Sequence, residues 1–195
     1  MNIFITGHSS GIGLAIYKQL SRTSLTVTGF SLSNNYDIAD PDTIISQLYG
    51  EHVFINNAWI DFYQVEMFDK WYATFKDTPH TTIVNVGSTV ATGRLQESQH
   101  PVYMASKKEL VKHSDLAIAD LTRECRIINI NPGWVNSRLG DAWVNGKLPS
   151  GNKTPMLTTD ECADAVCWAI NQPQHIEVSS LTIRSTVPQF LHKDK

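Results

Sequence analysis

The chain has 195 residues, 42% of them hydrophobic and 18% charged, with a formal net charge of -3. That length suits one domain across residues 1–195, with a core large enough to stand without disulfides or metals. The mild acidity excludes a surface built for nucleic acid or an anionic membrane, and no apolar run approaches membrane-spanning length.

The first strand, Asn2-Ile3-Phe4-Ile5-Thr6, starts directly after Met1 and leaves no room for a signal peptide, so a cytoplasmic location is expected. Cys125, Cys162 and Cys167 fit no metal spacing, leave an odd thiol and are expected as buried small residues in a reducing compartment. No metal site is expected.

After that strand comes Thr6-Gly7-His8-Ser9-Ser10-Gly11-Ile12-Gly13, then Leu14-Ala15-Ile16 and Leu20 at helical spacing. This is strand, tight turn and helix. Glycines at 7, 11 and 13 let the main chain turn sharply and approach a pyrophosphate, and the helix N-terminus offers N–H groups and a positive dipole end. Leu25 to Phe30 reads as a second strand because β-branched residues dominate it. Asp40-Pro41-Asp42 combines an N-cap acid with proline at the first helical position, opening a helix that Gly50 ends. Only Ser31 to Ala39 lie between, and a parallel crossover needs a dozen or more residues. The chain therefore skips a helix and a strand here, and strand two is expected at the sheet edge.

His52 to Ala58 is a buried strand that turns polar at its C-terminal end, where open α/β sheets place ligands. Met67, Phe68, Trp71, Tyr72 and Phe75 follow at helical spacing as a core stripe. Thr82 to Ser88 is the next strand, ending in a hydroxyl at the same edge. A long helix is predicted from Val102 to Leu121, with Leu110, Val111, Leu116, Ile118 and Leu121 on its apolar side. It carries Tyr103-Met104-Ala105-Ser106-Lys107, which places phenol and ammonium on one face, so that the cation favours the phenolate. Arg126 to Asn131 is a strand stopped by Pro132-Gly133. The stretch 138–157, rich in Gly, Asn, Pro and Lys, reads as a functional loop over a substrate, with Leu139, Trp143 and Met156 offering apolar contact. Thr158-Thr159-Asp160-Glu161 resembles a capping box before a helix, Ser180 to Arg184 forms the last strand, and the tail from His192 frays. Asn85 and Asn129 are expected to be satisfied structural residues.

Thr6-Gly7-x-x-x-Gly11-x-Gly13, Asn56-Asn57-Ala58, Ser88, Tyr103-x-x-x-Lys107 and Asn131-Pro132-Gly133 occur in an order that resembles the short-chain dehydrogenase/reductase family, from residue 3 to about 184. The resemblance implies an α/β fold: a Rossmann-type, doubly wound parallel sheet of about six strands with helices on both faces, one crossover helix and edge strand missing. It also implies a hydride transfer between a nicotinamide dinucleotide and a small-molecule carbonyl or alcohol. Tyr103 would be the general acid/base, Ser88 would hold the substrate oxygen, and Lys107 would bind the nicotinamide ribose hydroxyls and, with the cationic NAD(P)+ ring, lower the tyrosine's pKa. Cofactor contacts are implied for Gly7, His8, Ser9, Ser10, Gly11, Ile12 and Gly13 at the phosphates, and for Ser31 near the ribose. They are implied also for Asp37 and Ile38 at the adenine, Asn56 and Ala58 on the adenosine side, Pro132 and Gly133 after the fifth strand, and Val135 and Ser137 at the carboxamide.

Three departures accompany the likeness. The chain is short for the family. No Asn lies between Asn57 and Asn85, where the family supplies a fourth catalytic residue that holds a water, and Gln64 or solvent is the candidate substitute. Trp59 stands where a Gly usually follows Asn-Asn-Ala, and must either point away from the cofactor or reshape the pocket. The end of strand two, Phe30-Ser31-Leu32-Ser33, has no carboxylate before Asp37, so NADP(H) is favoured, with Ser31, Ser33, Asn34 and His8 as donors to a 2′-phosphate. NAD(H) is the alternative cofactor, a dinucleotide-binding sensor without activity is the alternative function, and a homodimer is left open as the assembly.

Overall fold

The computed structural model describes residues 1–92, 100–137 and 156–186. Leu139 and Trp143, expected to offer apolar contact, and the tail from His192 lie outside these residues. Six strands form one sheet: β1 Asn2–Thr6, β2 Thr26–Phe30, β3 His52–Asn56, β4 Thr82–Val86, β5 Arg126–Pro132 and β6 Ser180–Ile183. They are all parallel and lie in the order β2-β1-β3-β4-β5-β6. The helices are α1 Gly11–Leu20, α2 Pro41–Ile45, α3 Tyr63–Phe75, α4 Pro101–Ile118 and α5 Thr159–Ile170. β2 is an edge strand, as its short connection to β3 required: α2 spans 5 residues, and the chain returns to the far side of β1 without adding a strand beyond β2.

The central strands are apolar on both faces because helices cover both. Side chains alternate by the strand period of two. Ile3, Ile5, Val53, Ile55, Val84, Val86, Ile128 and Ile130 join the core under α1 and α5, while Phe4, Phe54, Ile83 and Ile127 join the core under α2, α3 and α4. The expected stripe on α3 delivers Met67, Phe68 and Trp71 to the second core. Cys125, Cys162 and Cys167 are buried free thiols.

Local signals explain the ends of the helices. Asp40 accepts from the Thr43 N–H at 3.2 Å with Pro41 at the first turn, and Thr158 and Glu161 form a reciprocal capping box. The C-terminal end of α5 is held by Arg126, only 7% exposed, whose guanidinium donates to the carbonyls of Ile170, Gln172 and Ile176 and to Thr82 Oγ1.

The long helix differs from expectation. It ends at Ile118, and Leu116 and Leu121 are 67% and 95% exposed rather than core residues. Leu116 lies six positions after Leu110, about 120° round the cylinder from it, and Leu121 falls past the last turn. The buried face of α4 runs instead through Ser106, Lys107, Leu110, Ser114 and Ala117, three of them polar. Among the described residues, no helix is long and apolar enough to cross a membrane, and no cluster of His, Cys, Asp or Glu could hold a metal ion.

Candidate active site

The C-terminal ends of β1, β3, β4 and β5 and the N-terminal half of α4 converge on one edge of the sheet. The turn after β1 is built by main-chain geometry. Gly7 and Gly11 have φ of +70° and +55°, a region L side chains rarely adopt, and a Cβ on Gly13 would lie 2.1 Å from the Gly7 carbonyl oxygen. Asn57 and Ala58 back this turn: Thr6 Oγ1 accepts from both of their N–H groups at 3.0 Å, and Asn57 Nδ2 donates to the Thr6 carbonyl at 3.0 Å. The Ser10 side chain makes no capping bond at the start of α1, and Ser9 and Ser10 are exposed. A shallow glycine cradle facing a helix N-terminus fits the pyrophosphate of a dinucleotide, with the amides of α1's first turn and both serines as donors.

On the outer side of this cradle, the His8 ring lies against Gly29, where a Cβ would stand 2.2 Å from its Cγ, and meets the Tyr17 ring at 5.1 Å. His8 Nδ1 is buried without a partner. After β2, Ser31 Oγ and Ser33 Oγ are 2.7 Å apart. Asn34 is committed to the main chain, donating to the Gly29 carbonyl and accepting from the Ser31 N–H, both at 2.8 Å. Asn34 is exposed, and its Nδ2 keeps a second N–H beyond the bond that closes the turn. Asp37 is exposed and accepts from the Ala39 N–H at 2.9 Å. Ile38 packs its side chain into the core, so its polar contact with a ligand would fall to its main chain.

Ser88, Tyr103 and Lys107 come together at the ends of β4 and α4. The Tyr103 phenol is hydrogen-bonded to Ser88, and Lys107 Nζ stands over the Tyr103 ring, 5.5 Å from its centroid. Burial pushes the phenol's pKa up, opposed by the bond to Ser88. Without the cationic nicotinamide ring, the expected lowering by Lys107 does not outweigh this burial. The lysine is itself pushed down to about 7 by burial, which weakens its cationic form.

Lys107 is 3% exposed, and its Nζ donates to Gln64 Oε1 at 2.7 Å and to the Val86 carbonyl at 2.8 Å. Below it, three asparagines sit level on adjacent strands. The register pairs Asn56 with Asn85 and Asn85 with Asn129. Asn56 Nδ2 donates to Asn85 Oδ1 at 3.0 Å, and Asn85 Nδ2 to Asn129 Oδ1 at 3.2 Å and to Ser114 Oγ at 3.0 Å. Asn56 is 1% exposed and gives its amide to this ladder and to the Gln64 carbonyl, so its side chain does not reach the adenosine side of a cofactor. A contact of Asn56 with the adenosine side would fall to its main chain. An apolar residue followed by Asn in three consecutive central strands (55–56, 84–85, 128–129) was the signal that would have revealed the ladder.

Trp59 folds over the site. Its ring meets that of Tyr103 edge to face, with centroids 4.9 Å apart, and its Nε1 donates to Ser106 Oγ at 2.9 Å. On the opposite side, Pro132 closes β5 and the Gly133 N–H bonds the Ile183 carbonyl. Val135 is buried and bridges to Leu157, next to Met156 in the chain. Ser137 stands across the cleft from the glycine turn, its Cβ 3.9 Å from where a Cβ on Gly11 would be.

No protein-family model matches the sequence. Two curated relatives, uncharacterised oxidoreductases of Staphylococcus aureus strains MW2 and USA300, are 26% and 25% identical over 87% of this chain and 80% of theirs. A short chain dehydrogenase from Burkholderia cenocepacia, solved with NADP, superposes with a TM-score of 0.70 at 20% identity, over 93% of this chain and 95% of that one. The chain has the short-chain dehydrogenase/reductase fold. A 3-alpha-hydroxysteroid dehydrogenase from Pseudomonas sp. B-0831, solved with NADH, agrees at a TM-score of 0.74, 19% identity and coverage of 94% and 95%. Serine dehydrogenase with NADP+ agrees at 0.73, 18% identity and coverage of 98% and 97%.

Proposed function

We propose that the chain is an oxidoreductase that moves a hydride between a nicotinamide dinucleotide and a small carbonyl or alcohol. The observation that carries this reading is the contact of Ser88 with the Tyr103 phenol, with the Lys107 amine over the same ring, beside a glycine turn at the carboxyl edge of a parallel sheet. When bound, the nicotinamide supplies or accepts the hydride. Tyr103 gives its proton to the nascent alkoxide in reduction, or takes the alcohol proton in oxidation. Ser88 holds the substrate oxygen within reach of that phenol, and Lys107 binds the ribose hydroxyls. The turn from Gly7 to Gly13 holds the phosphates, Asp37 and the Ile38 main chain meet the adenine, Ala58 lines the adenosine side, and Pro132, Gly133, Val135 and Ser137 flank the nicotinamide.

NADP(H) is the favoured cofactor. The end of β2 carries no carboxylate to repel a 2′-phosphate, and Ser31, Ser33, Asn34 and His8 are the local donors. The reading includes one domain across 1–195, a cytoplasmic location and substrates approaching under the 138–157 stretch.

Titration with NADPH and NADH, followed by tryptophan fluorescence and calorimetry, tests the cofactor site. A panel of aldehydes, ketones and alcohols with the preferred cofactor tests the chemistry, and Tyr103→Phe is expected to reduce turnover by roughly 10²- to 10⁴-fold. Turnover unchanged in that variant sinks the mechanism. Because Trp59 covers one side of Tyr103, a second reading is a cofactor-binding sensor. Cofactor affinity without turnover across the panel favours it, and turnover that needs Tyr103 excludes it.

A further inference from the structure

Lys107 is the one buried lysine among the described residues, and no charged group offsets its burial. The groups around its Nζ are the Tyr103 ring on its own helix, Gln64 from α3 and the Val86 carbonyl from β4. Gln64 is 1% exposed and cannot turn its amide around. Its Nε2 donates to the Asn56 carbonyl at 2.7 Å and the Val86 carbonyl at 3.1 Å, which leaves Oε1 as the acceptor shown to the lysine. A flipped amide would set an NH₂ against the amine and turn its oxygen toward the Asn56 and Val86 carbonyls. The main chain of Gln64 is held as well, its carbonyl accepting from Asn56 Nδ2 at 2.9 Å.

The lysine nitrogen has four tetrahedral positions. Its stem takes one, and Gln64 and Val86 take two more as acceptors. Ammonium and neutral amine both have two N–H groups to give, so both keep these bonds. They differ only at the fourth position, a proton in one form and a lone pair in the other.

The geometry points to Gln64 as the positioning residue for Lys107: its locked carboxamide, with the Val86 carbonyl, confines the lysine's proton exchange to the single position left beside Tyr103. The kinetic consequence rests on the oxidoreductase reading, whereas the effect on the titration of Lys107 stands without it.

The test uses the full chain with ¹³Cε-labelled lysine, Lys107→Met identifying the resonance, and compares wild type with Gln64→Glu and Gln64→Met. Gln64→Glu keeps the shape and sets a carboxylate against the amine, so the Lys107 midpoint is expected to rise by about one pH unit or more. Gln64→Met removes the acceptor, so the midpoint is expected to fall. In active protein, the corresponding limb of the pH–rate profile moves with it. A Lys107 midpoint that stays at its wild-type position in either folded variant overturns the inference. Should Gln64→Glu fail to fold, Gln64→Met decides alone. Shifted midpoints in a protein that turns over nothing sink the oxidoreductase reading and support Gln64's role. Unmoved midpoints with Tyr103-dependent turnover do the reverse.

Discussion

Lys107→Met keeps the length of the side chain and removes an amine whose pKa falls from 10.5 to about 7 on burial. A base with a lower pKa folded than unfolded opposes folding wherever the unfolded chain binds the extra proton. Native stability therefore rises with pH between about 7 and 10.5, with a slope approaching about 1.4 kcal/mol per pH unit. The two values put the opposition at about 4 kcal/mol at pH 7 and about 2 kcal/mol at pH 9. The Met variant lacks this dependence. It leaves Gln64 Oε1 without its donor and the Val86 carbonyl with Gln64 Nε2 alone, which costs about 1–3 kcal/mol, but that loss does not change with pH. The thiols of Cys125, Cys162 and Cys167, pushed up by burial, titrate alike in both proteins and cancel. Urea unfolding at pH 7, 8 and 9, read by tryptophan fluorescence, should show wild type gaining about 2 kcal/mol on Lys107→Met over that range. A difference between the two proteins that is the same at all three values refutes the reasoning, because a lysine that stays protonated in the fold gives no slope.

Two further perturbations probe the frame around the site. Gly13→Ala places a methyl 2.1 Å from the Gly7 oxygen, so the turn must open, and a loss of about 1–3 kcal/mol with weakened NADPH binding is expected in unfolding and calorimetric titrations. Wild-type affinity in that variant would show that the cradle is not the phosphate site. Arg126→Met strips the donor from the carbonyls of Ile170, Gln172 and Ile176, far from the glycine turn. It should lower stability by about 2–4 kcal/mol in urea while NADPH affinity in the folded protein is unchanged.

Much of this protein is legible residue by residue because its signals are local. Glycines that adopt positive φ, the Asp40-Pro41 start of α2, the Thr158–Glu161 capping box and the spacing of Tyr103 and Lys107 all act within one turn of chain. The edge position of β2 also followed from the sequence, since the connection to β3 is too short for another helix and strand. What the sequence could not determine depends on partners far along the chain. Gln64 reaches Lys107 across 43 positions and Trp59 reaches Ser106 across 47. Asn56, Asn85 and Asn129 form a ladder only once β3, β4 and β5 are in register. Leu116 and Leu121 read as core residues until the end of α4 is known, and Asn56 reads as a ligand contact until its amide is seen paired inside. The Tyr103–Lys107 spacing predicts a lowered phenol pKa, yet the surrounding burial pushes the phenol up and the amine down. Helical spacing sets which groups are neighbours, but the dielectric around them is set by every chain segment packed overhead, and only the tertiary structure supplies that.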